Sequence, residues 1–125
     1  MSAALHDPAG TAAVRLARRL YRFGDHPVRT LEAVAEAEAN RLCREPGAAP
    51  GRDAPVPDDA LYRVCRRIAR RALTARRGVH VEGACHYHPV DDNPVWARDR
   101  RPVARVGEIV FYPAIEGEWP PAMRG

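Results

Sequence analysis

Residues 83–112 read GACHYHPVDDNPVWARDRRPVARVGEIVFY, and the fold turns on how this stretch is parsed. Short segments rich in Val, Ile, Tyr and His are separated by Gly, Pro, Asp and Asn, the grammar of brief strands joined by turns. Gly83 to His88 and Glu108 to Tyr112 are the expected strands, with Val103 to Val106 leading into the second. Together they predict a small antiparallel sheet.

Upstream of residue 78 the period changes from two to between three and four. Ala13, Val14, Ala17, Leu20 and Tyr21 share one stripe, while Arg15, Arg18, Arg19 and Arg22 fall largely on the other, so Thr11 to Phe23 reads as an amphipathic helix. Gly24-Asp25-His26-Pro27 breaks it, because Gly closes helices and Asp followed by an early Pro opens them. A second helix is expected from Pro27 to about Cys43, with Leu31, Val34, Ala35 and Leu42 inward and Glu32, Glu36 and Asn40 on a polar stripe. Glu38, seven residues after Leu31, falls on the apolar side. Residues 45–57 (EPGAAPGRDAPVP) hold too many Pro and Gly for a helix or central strand and read as a loop. A third helix is expected from Asp58 or Asp59, either of which can cap it, to about Arg77, with Gly78 ending it. Its stripe is Leu61, Val64, Cys65, Ile68, Ala72 and Leu73. The fold class is therefore α+β, three helices followed by the sheet, in one domain over residues 11–115 between tails at 1–10 and 116–125.

The length of 125 residues leaves room for one modest core. No apolar run approaches the roughly 18 to 20 residues of a membrane span, and Met1 to Thr11 lacks the apolar centre of a signal peptide. The expectation is synthesis in the cytoplasm. Cys43, Cys65 and Cys85 are odd in number and without a CxxC pair, which points to buried free thiols rather than a disulfide framework or zinc ribbon. All 20 basic residues are arginine, a coding bias that weakens arguments from arginine counts. The net charge of +4 favours anionic partners without choosing among them. Arginines of the third helix could contact phosphates, but no recognised DNA-binding motif accompanies them, so nucleic acid is not the indicated partner.

Several words of the chain recur in order in a known family. Gly83-Ala84-Cys85-His86-Tyr87-His88, then Asn93-Pro94-Val95-Trp96-Ala97, then Val106-Gly107 and Val110-Phe111-Tyr112, resemble the C-terminal signature of the SleB-type (spore-cortex-lytic) cell wall hydrolases. Leu16 to Tyr21 resembles that family's opening helix, and Ala33-Val34-Ala35 with Asn40-Arg41-Leu42 its second, so the likeness spans about residues 12 to 113. The resemblance implies a lysozyme-like fold and cleavage of peptidoglycan glycan strands, commonly as a lytic transglycosylase. It implies no cofactor. Where the family places its acid, soon after the tyrosine of the opening helix, this chain has Arg22 and Phe23, and Ile109 replaces the histidine of the last signature word.

Glycosidic cleavage needs a carboxylic acid held protonated by an apolar setting. Glu38 is the carboxylate whose helical position suggests one; the alternative is a Glu at the stripe's edge, reaching water or pairing with an arginine. His86 and His88 point to one face of a strand, a geometry that metal sites use, with Asp91, Asp92 or Glu108 able to complete the set. The resemblance supplies the same His-Tyr-His without a metal, so no metal is assigned. Tyr87, His88, His86, Asp92, Asn93, Trp96 and Tyr112 are the expected substrate-binding residues, with Trp96 and Tyr112 either stacking on sugar rings or buried in the core. Three functions follow: a wall-directed glycan-cleaving enzyme, an inactive relic that binds glycan or serves as a structural component of a phage-derived particle, and a basic nucleic-acid-binding module.

Overall fold

The computed structural model describes residues 8–44, 55–74 and 80–114. Three helices, α1 (Pro8–Tyr21), α2 (Val28–Arg44) and α3 (Ala60–Thr74), precede three strands, β1 (His86–Pro89), β2 (Ala104–Val106) and β3 (Ile109–Tyr112). The chain is α+β as expected. Most of the loop at 45–57, the end of the third helix with Gly78, and the tail at 116–125 lie outside the described residues.

The first helix begins at Pro8, earlier than its stripe announced, and ends at Tyr21 in tight turns, Phe23 N–H donating to Leu20 C=O at 2.8 Å and Gly24 N–H to Tyr21 C=O at 3.0 Å. A Cβ on Gly24 would lie 2.5 Å from Leu61 Cδ2, so the turn packs directly against α3. Asp59 caps α3: its Oδ1 accepts from Tyr62 N–H at 2.9 Å, and its Oδ2 accepts from Tyr21 O–H at 2.6 Å. The start of α3 is thereby tied to the end of α1. Those hydrogen bonds, Tyr21's first, hold the Asp59 carboxyl below its ordinary range.

The second helix departs from the one-sided pattern expected of it. Leu31, Ala33, Val34, Ala35, Ala37 and Ala39 are all buried, and so are Thr30, Glu36 and Glu38. A helix covered all round is a central element, packed here against α1, α3 and the strands β1 and β2. Alanine on every side is what lets neighbours approach. The polar stripe is therefore largely covered: Glu32 is half-buried, Glu36 is buried, and Asn40 Nδ2 donates to Ala84 C=O at 2.9 Å. Glu36 is satisfied by backbone, accepting from Val81 N–H at 2.9 Å and His80 N–H at 3.2 Å, and so pins the chain where it enters the sheet.

A turn from Val81 to Ala84, closed by Ala84 N–H to Val81 C=O at 2.9 Å, leads into β1 with Glu82 and Gly83 both at positive φ (47° and 84°). Two successive positive φ values are the signature of a type I′ turn. The sheet order is β1-β3-β2, antiparallel throughout. Val103 to Val106 is thus not a lead-in to the last strand but contributes a strand of its own, turned back by Gly107 and Glu108. Gly107 has φ 58°, and a Cβ there would meet Thr30 Oγ1 at 2.7 Å, so glycine is needed both for the hairpin and for its approach to α2. The core joins Leu16, Leu20, Leu31, Val34, Ile68, Val81, Ile109 and Phe111. Cys65 and Cys85 are buried free thiols, but Cys43, near the end of α2, is exposed. No described helix is long and apolar enough to cross a membrane.

Candidate functional site

Strand alternation divides the His86-Tyr87-His88 word between two faces. Residues paired across an antiparallel ladder share a face, and the register sets His86 opposite Tyr112, Tyr87 opposite Phe111 and His88 opposite Val110. Tyr87, Phe111 and Ile109 face the helices; His86, His88, Val110 and Tyr112 face outward.

On the inner side, Tyr87 O–H donates to Glu38 Oε2 at 2.6 Å, and Arg19 Nη1 donates to the same oxygen at 3.2 Å. Arg19 therefore turns away from the other arginines of α1 and enters an ion pair whose carboxylate is 2% exposed. Burial, and then the neighbouring Glu38 charge, push the Tyr87 hydroxyl well above its ordinary pKa, so it stays a donor. Phe23 lies edge-on to Tyr87 at 6.0 Å, at the position where the resemblance would put an acid. Glu38 is thus buried beside that position, but its Oε2 accepts twice, whereas a general acid presents an O–H to a leaving oxygen.

The outer side is an aromatic cluster. After β1 the chain turns through Asp92, whose N–H donates to Pro89 C=O at 3.0 Å and whose Oδ1 accepts from Asn93 N–H at 2.9 Å, then forms a short 3-10 helix, Val95–Ala97. That helix lays Trp96 across the sheet. Its ring lies edge-on to Tyr112 at 5.2 Å, to His88 at 5.7 Å and to His86 at 6.2 Å, and His88 stacks on Tyr112 at 5.3 Å. Edge-to-face and offset pairs of this kind suit the ring quadrupoles. Arg100 Nε donates to Trp96 C=O at 2.9 Å and holds the helix down.

Within the cluster the histidines differ. His86 is 3% exposed, and burial, followed by the charges of Arg41 and Arg100, lowers its pKa to about 3, so it is a neutral ring. His88 is half-buried: its Nδ1 lies 2.6 Å from Pro89 C=O and its Nε2 2.9 Å from the Tyr112 hydroxyl. A carbonyl only accepts, so Nδ1 carries a proton, while Nε2 pairs with the Tyr112 hydroxyl. Both nitrogens are engaged. Among the described residues no group of three or more His, Cys, Asp or Glu side chains is placed to hold a metal ion.

Of the residues singled out from the sequence, His86, His88, Trp96 and Tyr112 converge, and Asp92 and Asn93 are exposed in the turn between β1 and the 3-10 helix. Tyr87 and Glu38 meet each other on the opposite side of the sheet. Sequence reasoning allowed Glu38 an arginine partner without singling out Arg19, and it missed Glu36 as a buried anchor. The signal for Glu36 was the Ala-Val-Ala-Glu-Ala-Glu-Ala run, whose small residues on all sides mark a helix with no solvent face. Comparison of the chain with protein-family models, with curated proteins and with solved structures finds no match.

Proposed function

We propose that this is a peptidoglycan-directed domain of the SleB type, lysozyme-like in architecture, that binds glycan strands on the outer face of its sheet without cutting them. The observation that carries the reading is the Trp96, His88 and Tyr112 cluster, half-buried at Trp96 and His88, with exposed Asp92 and Asn93 in the turn that leads to Trp96. Sugar rings present flat C–H faces to aromatic rings and hydroxyls to flanking polar groups, and a surface combining the two is what they require. Binding rather than cleavage is supported by Glu38, the acid candidate of the sequence, being committed to Arg19 and Tyr87.

The test is co-sedimentation with purified sacculi, together with assay of released muropeptides. The expected result is pelleting with no release, and a loss of pelleting of about tenfold in Trp96→Ala. His88→Ala serves as a second variant, with circular dichroism confirming that each folds. Release of soluble muropeptides that disappears in Glu38→Gln would replace this reading with the enzymatic one. Absence of pelleting by the folded wild-type chain would dismiss both.

A further inference from the structure

The sheet's outer face leaves one prominent feature unused. Helix α3 contains five arginines and no acidic residue, and α1 contains three arginines and none. Together the two helices carry eight arginines, of which Arg19 is paired with buried Glu38, and the rest of the chain is net negative, since the whole sums to only +4. Coding bias explains arginine in place of lysine; it does not explain this segregation.

The spacing organises the charge. Arg63, Arg67, Arg70 and Arg71 fall at three- and four-residue intervals on the side of α3 opposite buried Cys65, Ile68 and Ala69, and all four are exposed, Arg63 within 3.7 Å of the equally exposed Asp58 carboxylate. Helix α1 has the same intervals at Arg15 and Arg18, exposed and half-buried, opposite Leu16, Ala17 and Leu20. The two helices pack against each other, and Tyr21 bound to Asp59 fixes the end of one to the start of the other. Each helix thus turns its arginines away from its buried side, while the aromatic cluster belongs to the sheet.

We infer that the paired arginine faces of α1 and α3 bind the phosphate backbone of duplex nucleic acid without regard to sequence. Charge complementarity selects the occupant. A helix face offers about one cation per 5.4 Å turn, and a duplex carries one negative charge per roughly 1.7 Å of its axis, so phosphates outnumber the guanidinium groups presented to them. Guanidinium groups engage phosphate oxygens in pairs, which suits arginine to this role. Nothing on these faces reads base edges. This surface is independent of the glycan reading.

The test measures fluorescence anisotropy of a random-sequence 20-base-pair duplex with the full chain from 50 to 200 mM salt. In the triple variant Arg63→Gln, Arg67→Gln, Arg70→Gln, affinity at 50 mM is expected to fall at least tenfold, and the log–log salt slope to become shallower by about 2 to 3. Glutamine preserves helix propensity, which circular dichroism verifies. The charge-matched variant Arg29→Gln, Arg98→Gln, Arg101→Gln, off both helices, should lose less than about threefold. Equal losses in the two triple variants would overturn the inference, because only net charge would then be acting. So would competition by flexible poly(glycerol phosphate) as strong, per phosphate, as by unlabelled duplex, since the site would then take a wall-type polymer.

Discussion

The two faces of the three-stranded sheet are built from interleaved residues of the same strands and do opposite things. The inner face spends its polar group internally: Tyr87 reaches Glu38, Glu38 reaches Arg19, and Phe111 and Ile109 are completely buried around them. The outer face gathers His88, Tyr112 and Trp96 under a single short helix and leaves Asp92 and Asn93 at the solvent edge. The contrast teaches that a carboxylate in an apolar setting is no evidence for an acid until its partners are known. A half-covered aromatic cluster with polar neighbours, by comparison, is a surface that a ligand can complete.

The comparison can be broken most forcefully from inside. Phe111→Ala is expected to cost about 3 to 5 kcal/mol, the usual range for emptying a large ring's place in a core, measured by urea unfolding. A loss below about 1 kcal/mol would mean that the inner face is not the core. Tyr87→Phe removes one donor to the buried carboxylate and is expected to cost about 1.5 to 3 kcal/mol. Because Glu38 is shared, Tyr87→Phe and Glu38→Gln should be less than additive in a double-mutant cycle; simple additivity would contradict the coupling of these groups.

On the outer face the buried histidine supplies a pH test. His86 has its pKa lowered from 6.5 to about 3, so between those values the unfolded chain binds a proton that the folded chain refuses. Stability contributed by the neutral ring is therefore fully present above pH 6.5 and is lost as pH falls towards 3, with a slope of up to about 1.4 kcal/mol per pH unit. His86→Asn should flatten that part of the stability profile relative to wild type, and unchanged curvature from pH 6.5 to 5 would show that the ring is open to protons. The smallest expected effect is in His88→Ala, about 1 kcal/mol for its bond with Tyr112, read by the same unfolding curves.

Much of this division was legible in the sequence. The switch from helical to two-residue period, the Gly and Pro punctuation, and the burial of Glu38 on the stripe of α2 all follow from local pattern. What the pattern missed has a common cause. Period reasoning assumes that a helix has one inside, and α2 packs against helices and strands alike, so Glu36 and Asn40 read as members of a polar stripe when they hold the entrance to β1. Arg19 shares its spacing with Arg15, Arg18 and Arg22, and only the approach of α2 distinguishes it. Strand β2 is three residues long, too short to show alternation, and owes its place to pairing with β3. Cys43 lies at the end of α2, beyond its enclosed stretch, and is exposed.

The central claim is that the sheet's outer face, and not the Glu38 side, receives glycan. Titrating isotopically labelled protein with N-acetylglucosamine oligomers and following side-chain resonances by NMR addresses it directly. The expected shifts are at the Trp96 indole and the His88 ring, saturating together, with Tyr87 and Arg19 unmoved. Shifts confined to Tyr87 and Arg19, or none at Trp96 and His88, would contradict the account.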